Sequence, residues 1–227
     1  MTEMRPEPAS YPQGKFEVPP GGLDLILVRH GQSAAFVEGE KFALVDGHGD
    51  PPLSELGRAQ AERVGERLAT AGIEAIYVTT LQRTAQTAAP LAARTGLPVR
   101  VEPDLREVLL GEWEGGTYRK NVTEGHPIAL RMLAEERWDV IPGGESSEAF
   151  EARVRAGIGR IAAGHAGQRV AVFTHGGVVG RAIKLASGSR PFAFNRSDNA
   201  SISTLAVLGD DWSVRSFNDT AHLNGLL

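Results

Sequence analysis

The chain has 227 residues, 41% of them apolar and 23% charged, with a formal net charge of −4, which is enough sequence to bury one sizeable core. The negative balance argues against nucleic acid or an anionic membrane surface as a partner, while leaving a local arginine cluster free to attract a small anion. The absence of cysteine excludes disulfides, thiolate metal sites and a cysteine nucleophile.

Residues 1–22 read as a flexible arm, because their prolines prevent a regular element and their apolar residues have no period. Pro, Glu and Gly interrupt the apolar core a signal peptide would need there, and no later stretch approaches the ~18 apolar residues of a membrane span. The expectation is a cytoplasmic protein whose single domain runs from 23 to 227. "DLILVRH" is apolar on both faces and stops at Arg29, His30 and Gly31, as the end of a central parallel strand would. A helix is predicted in "LSELGRAQAERVGERLATAG", with Ser54 as N-cap, an apolar stripe through Leu56, Ala59, Val64, Leu68 and Ala71, and Gly72 as its stop.

"IEAIYVTT" repeats the strand signature and "LQRTAQTAAPLAARTG" the helix, ended by Gly96. "PVRVE" is a third strand, "EAFEARVRAGIGRIAAGH" a further helix, and "RVAVFTHGG" a fourth strand with the same ending in His and Gly as the first. "VVGRAIKLAS" is the helix behind it, and "SISTLAVLG" with "WSVRSFN" forms a closing hairpin, an edge along which two copies could pair as a homodimer. There is no internal repeat. The alternation predicts an α/β three-layer sandwich with a mostly parallel central sheet and helices on both faces, and a helical insertion at about 111–148 covers the carboxyl edge where ligands bind.

Two strands thus bring Arg29-His30-Gly31 and His175-Gly176-Gly177 to one edge, where glycine lets the backbone approach an anion at a helix start. A histidine ending a strand can also simply bond a carbonyl, a reading that two such sites on one edge weaken. Arg83 falls in the first turn of the second helix, where a cation opposes the helix dipole unless an anion is held between them; a surface ion pair is the alternative. Glu107 lies near the same edge, and a carboxyl beside a phosphate favours its protonated form and can donate a proton. As weaker candidates, Gln32, Ser33 and Gly176, the last by its backbone N–H, could border an anion pocket, while the Ser33 hydroxyl could equally serve a turn. Asn199 and Ser201 lie in "SDNASIS", where a strand-start Asn is commonly structural. His48 could touch substrate, although a loop histidine between glycines is more often simply exposed, and His126, His165 and His222 read as helix-end or tail residues.

Arg29-His30-Gly31, "DPPLSELGRAQA", "QRTAQTA", "LREVLLGEWEG", "GGES" and "FTHGGVV" together resemble the histidine phosphatase superfamily, the phosphoglycerate mutase-like fold, over roughly residues 23–217. The resemblance implies a nucleophile at His30 that forms a phosphohistidine. It implies further that Arg29, Arg83 and His175 hold the phosphoryl oxygens, and that Glu107 protonates the leaving group and then activates water. It implies no metal or cofactor, the arginines supplying the positive charge. Mutases of the family usually carry Trp-Asn a few residues after the triplet, where this chain has Ala35 and Phe36, which favours hydrolysis of a small phosphorylated metabolite over phosphate transfer. Three alternatives stay open: a mutase, a metallophosphatase built on His30, His48, His175 and Asp46, and a phospholigand-binding module without turnover.

Overall fold

In the computed structural model, which describes residues 11–227, the apolar run is strand β1, Leu23–Arg29. Its alternate side chains enter two separate cores, Leu23, Leu25 and Leu27 on one face of the sheet and Ile26 and Val28 on the other. A strand buried on both faces has no polar side to show, which is why its sequence lacks alternation.

The chain then runs through a two-stranded hairpin, β2 (Leu44–Val45) and β3 (His48–Gly49), to α1 (Glu55–Leu68), β4 (Ala75–Val78), α2 (Gln82–Thr95) and β5 (Val99–Val101). The insertion contributes α3 (Thr117–Thr123) and α4 (Pro127–Glu135). It is followed by α5 (Ser147–Gly164), β6 (Arg169–Thr174), α6 (Gly176–Ser187), β7 (Ile202–Leu208) and β8 (Asp211–Asp219). The six-stranded sheet has the order β5-β4-β6-β1-β7-β8. Its first four strands are parallel, β7 runs antiparallel to β1 and β8 antiparallel to β7, so the expected mostly parallel α/β sheet is what forms. Side chains of α1 and α2 fill one core and those of α5 and α6 the other. Between Tyr11 and Gly22 the chain forms no helix or strand, and the first ten positions of the expected arm lie outside the described residues.

Helix α1 departs from its predicted face. Ser54 caps it as expected, its hydroxyl accepting from the Gly57 amide, but the helix ends at Leu68, before Gly72. Its buried residues are Gly57, Gln60, Ala61, Val64, Gly65 and Leu68, while Leu56 is half-buried and Ala59 exposed. The stripe is displaced because this face packs against backbone. A Cβ on Gly57 would lie 1.9 Å from the Gln32 carbonyl oxygen, and one on Gly65 would lie 2.8 Å from the Pro90 Cβ in α2. The Gln32 carbonyl accepts from the Ser54 amide at 2.9 Å, and Gln60 Oε1 accepts from the Gln32 amide at 2.9 Å. Absent side chains therefore dock α1 on the segment that follows His30. Gly57→Ala is expected to lower stability by about 1–3 kcal/mol through this backbone collision, read as a fall in melting temperature; unchanged melting would contradict the close approach.

Candidate active site

The carboxyl ends of β1 and β6 lie side by side, with Arg29 paired in register to Thr174. The His30 amide, one residue on, donates to the Thr174 carbonyl at 2.9 Å, and the His30 carbonyl accepts from the Asn199 side-chain amide at 3.0 Å. His30 and His175 meet edge to face, with ring centroids 5.2 Å apart. Both rings are buried. His30 Nδ1 lies 2.8 Å from the Gly31 carbonyl oxygen, and because a carbonyl only accepts, Nδ1 carries the proton and Nε2 of the neutral ring keeps a free lone pair. Burial, then the charges of Arg83 and Arg29, hold His30 well below the usual imidazole value. His175 is held low in the same way, by burial first and then by Arg83 and His30.

Two guanidinium groups flank these rings. Arg29 donates Nη1 to the Ser197 carbonyl, and its Nε is buried with no partner among the described residues. Arg83 donates Nη1 to the Gly49 carbonyl at 3.0 Å and lies 3.8 Å from Asp50. Burial lowers the Arg83 value to about 10, against the pull of Glu107 and Asp50, so it remains a cation at neutral pH. Arg119 from α3 closes the outer side, donating to Ser33 Oγ at 2.7 Å and to the Ala34 carbonyl at 2.6 Å.

Glu107 stands on an irregular segment fixed mainly by α5. Arg153 donates to the carbonyls of Asp104 and Arg106 at 2.7 Å and of Glu107 at 2.8 Å, while both Glu145 oxygens, from the "GGES" segment, hold the same guanidinium. The Glu107 carboxylate accepts from the Val108 amide at 3.0 Å and from the Gly177 amide at 3.3 Å. Position 177 has to be glycine for this contact, since a Cβ there would lie 2.4 Å from Glu107 Oε1.

Arg29, His30, Arg83, Glu107 and Gly176 border one cavity of about 400 Å³ with Gln32, Ser33 and Asn199. His175 is fully buried beside them. Gln32 is exposed and its side-chain oxygen accepts from the Ser54 hydroxyl, so it reaches the cavity only at the rim. Ser201 is buried and its carbonyl accepts from the Arg29 amide. His48 is not the exposed loop residue that its flanking glycines suggested, and it borders the cavity, where it could touch substrate. It is 7% exposed, its Nε2 lies 3.1 Å from the Glu107 carbonyl and its Nδ1 3.0 Å from that of Asp46, because β3 turns it inward against the Glu107 segment. Phe36 packs on Phe42 and borders an outer cleft, whereas Phe42 borders the cavity itself. His126, His165 and His222 lie at the ends of α4 and α5 and in the C-terminal turn, as expected.

Sequence reasoning missed Asn195, Glu114 and the aromatic wall of Trp113 and Trp138, all of which border the cavity. Glu114 bonds the amides of Gly49 and Leu110, joining two loops far apart in sequence, and no local pattern announces that. Among the described residues, no group of three or more His, Asp or Glu is placed to hold a metal ion, and no helix is long and apolar enough to cross a membrane.

Buried cations and a neutral imidazole at the carboxyl edge of a mostly parallel sheet make a cavity suited to a small anion. The histidine phosphatase superfamily (branch 1) model matches residues 25–220, and the chain belongs to that superfamily, which contains both phosphatases and mutases. Phosphoglycerate mutase-like protein 4 of Arabidopsis thaliana is 35% identical over 207 residues, covering 88% of this chain and 86% of its own. Metal-independent phosphoserine phosphatase of the same plant is 33% identical over 210 residues, covering 89% and 84%. The solved structure of a mycobacterial glucosyl-3-phosphoglycerate phosphatase matches with a TM-score of 0.70 at 29% identity, over 88% of this chain and all of that one.

The depressed imidazole values have a measurable consequence. An unfolded histidine takes up a proton near pH 6.5, whereas native His30 and His175 take theirs up only at lower pH. The unfolded chain therefore binds more protons as pH falls below about 6.5, and stability is lost in that direction. An NMR titration is expected to find both rings neutral at pH 6.5. Arg83→Met should raise the His30 midpoint without restoring the ordinary value, since burial is the larger cause; a midpoint at or above 6.5 in the unaltered protein would contradict this.

Proposed function

We propose that this chain hydrolyses small phosphomonoesters through a phosphohistidine formed on His30. The observation that carries the reading is the free Nε2 lone pair of a neutral His30, set among Arg29, Arg83 and His175 with Glu107 on the same cavity. Nε2 attacks phosphorus in line, the P–N bond forming as the bond to the leaving oxygen breaks. Each guanidinium spends a single Nη1 donor on a backbone carbonyl, so its other N–H groups can meet the phosphoryl oxygens as charge spreads over them. The α6 start at Gly176, which has no side-chain cap, and the hydroxyl of Ser33 complete the donor set.

Glu107 gives its proton to the leaving oxygen. The resulting carboxylate then takes a proton from a water molecule, whose oxygen displaces Nε2 from phosphorus and releases phosphate. Ala35 and Phe36, in place of the Trp-Asn of mutases, support hydrolysis over transfer, as do relatives named for phosphatase activity. No step requires a metal ion.

The test is phosphate release from a panel of phosphorylated metabolites in excess chelator, with a 3-phosphoglycerate mutase assay beside it. Release should persist in chelator and vanish in His30→Ala. Glu107→Gln should cost about 10²–10⁴-fold in kcat/KM on alkyl phosphates and far less on p-nitrophenyl phosphate, whose leaving group needs little protonation. Isomerisation without release would identify a mutase, dependence on added metal a metallophosphatase, and binding without turnover a phospholigand module.

A further inference from the structure

The fold treats the two ring nitrogens of His175 differently. Nε2 lies 3.0 Å from Thr79 Oγ1, whereas Nδ1 is buried with no partner among the described residues. Thr79 follows the end of β4, and Thr84 lies in the first turn of α2; both are buried, Thr84 completely. Their hydroxyl protons can be traced. Thr84 Oγ1 is 2.8 Å from the Leu81 carbonyl and 3.4 Å from that of Thr79, and since carbonyls only accept, the single Thr84 proton goes to the nearer one. The Thr84 oxygen then accepts, receiving the Thr79 amide at 3.1 Å. Thr79 Oγ1 receives the Leu81 amide at 3.3 Å, which leaves its own proton two acceptors, Thr84 Oγ1 at 3.2 Å and His175 Nε2 at 3.0 Å.

We propose that Thr79 donates its hydroxyl proton to His175 Nε2, the nearer of its two acceptors, and so fixes His175 as the Nδ1–H tautomer, whose Nδ1–H is the donor to a phosphoryl oxygen. The opposite arrangement puts the proton on Nε2 and leaves a bare Nδ1 lone pair buried beside the site. A phosphoryl oxygen has only lone pairs to offer, so that form would repel the group the neighbouring arginines attract. His175 is held neutral by burial and by Arg83, so only one nitrogen carries a proton and the choice of nitrogen matters. Thr79 is a positioning residue, since it acts through His175. The shorter Thr79–His175 distance favours this tautomer, while the need for a donor beside the arginines and what Nδ1–H meets both rest on the phosphatase reading.

Long-range ¹H–¹⁵N spectra of histidine-labelled protein, with His175 assigned by its loss in His175→Asn, read the tautomer without any turnover. The unaltered protein should show a protonated Nδ1 and a bare Nε2 at His175. Thr79→Val, which removes the donor at nearly constant shape, should shift the ring toward the Nε2–H form and lower kcat on p-nitrophenyl phosphate by about tenfold or more, with KM changed less. Thr79→Ser should restore both readouts. A protonated Nε2 in the unaltered protein, or a Thr79→Val ring and kcat that match it, would overturn the proposal. The predicted tautomer in a protein without phosphatase turnover would instead uphold the tautomer and defeat the functional reading.

Discussion

Removing His30 from water beside two guanidinium groups is the constraint on which the rest of the site depends. An imidazole in water near neutral pH is partly protonated, and a protonated ring has no lone pair to offer phosphorus. Burial and the charges of Arg83 and Arg29 remove the proton, while the Gly31 carbonyl decides which nitrogen keeps the remaining one. The cations that suppress protonation are also those placed to meet an anion. In the proposed function, one arrangement thus serves the nucleophile and its substrate together.

Such a cluster needs a rigid surround, because buried cations facing one another repel unless each is held by acceptors. The acceptors here are largely backbone carbonyls, those of Ser197 for Arg29 and Gly49 for Arg83. The hairpin β2-β3 supplies Gly49, and Glu114 ties it to the insertion through the Gly49 amide. Arg153 does the corresponding work for the Glu107 segment, gathering three carbonyls and both Glu145 oxygens on one guanidinium. Gly57 lets α1 approach the Gln32 backbone where a methyl group would collide, and Gly177 leaves room beside α6 for the Glu107 carboxylate.

Much of this was legible in the sequence. The runs ending in Arg29-His30-Gly31 and in His175-Gly176 announce strand ends at one edge because strands buried on both faces are apolar throughout and stop abruptly. Ser54 and Gly96 mark helix boundaries through local backbone chemistry, and both function as read. The buried face of α1 was not legible, because Gly57 and Gly65 contribute to packing by what they lack. His48 was misread as exposed because its burial is created by the Glu107 segment, 59 residues further along the chain. Arg153, Glu114 and Thr79 act through bonds to distant residues, and no periodicity encodes those.

The central claim is that His30 Nε2 becomes covalently bonded to phosphorus during turnover. Rapid acid-free quenching of the protein with a ³²P-labelled phosphomonoester, followed by peptide mapping, tests it most directly. The account predicts a label that is stable to base, labile to acid and confined to the peptide containing His30, and that is absent from His30→Ala. Full turnover by His30→Ala, or a label on any other residue, would contradict it.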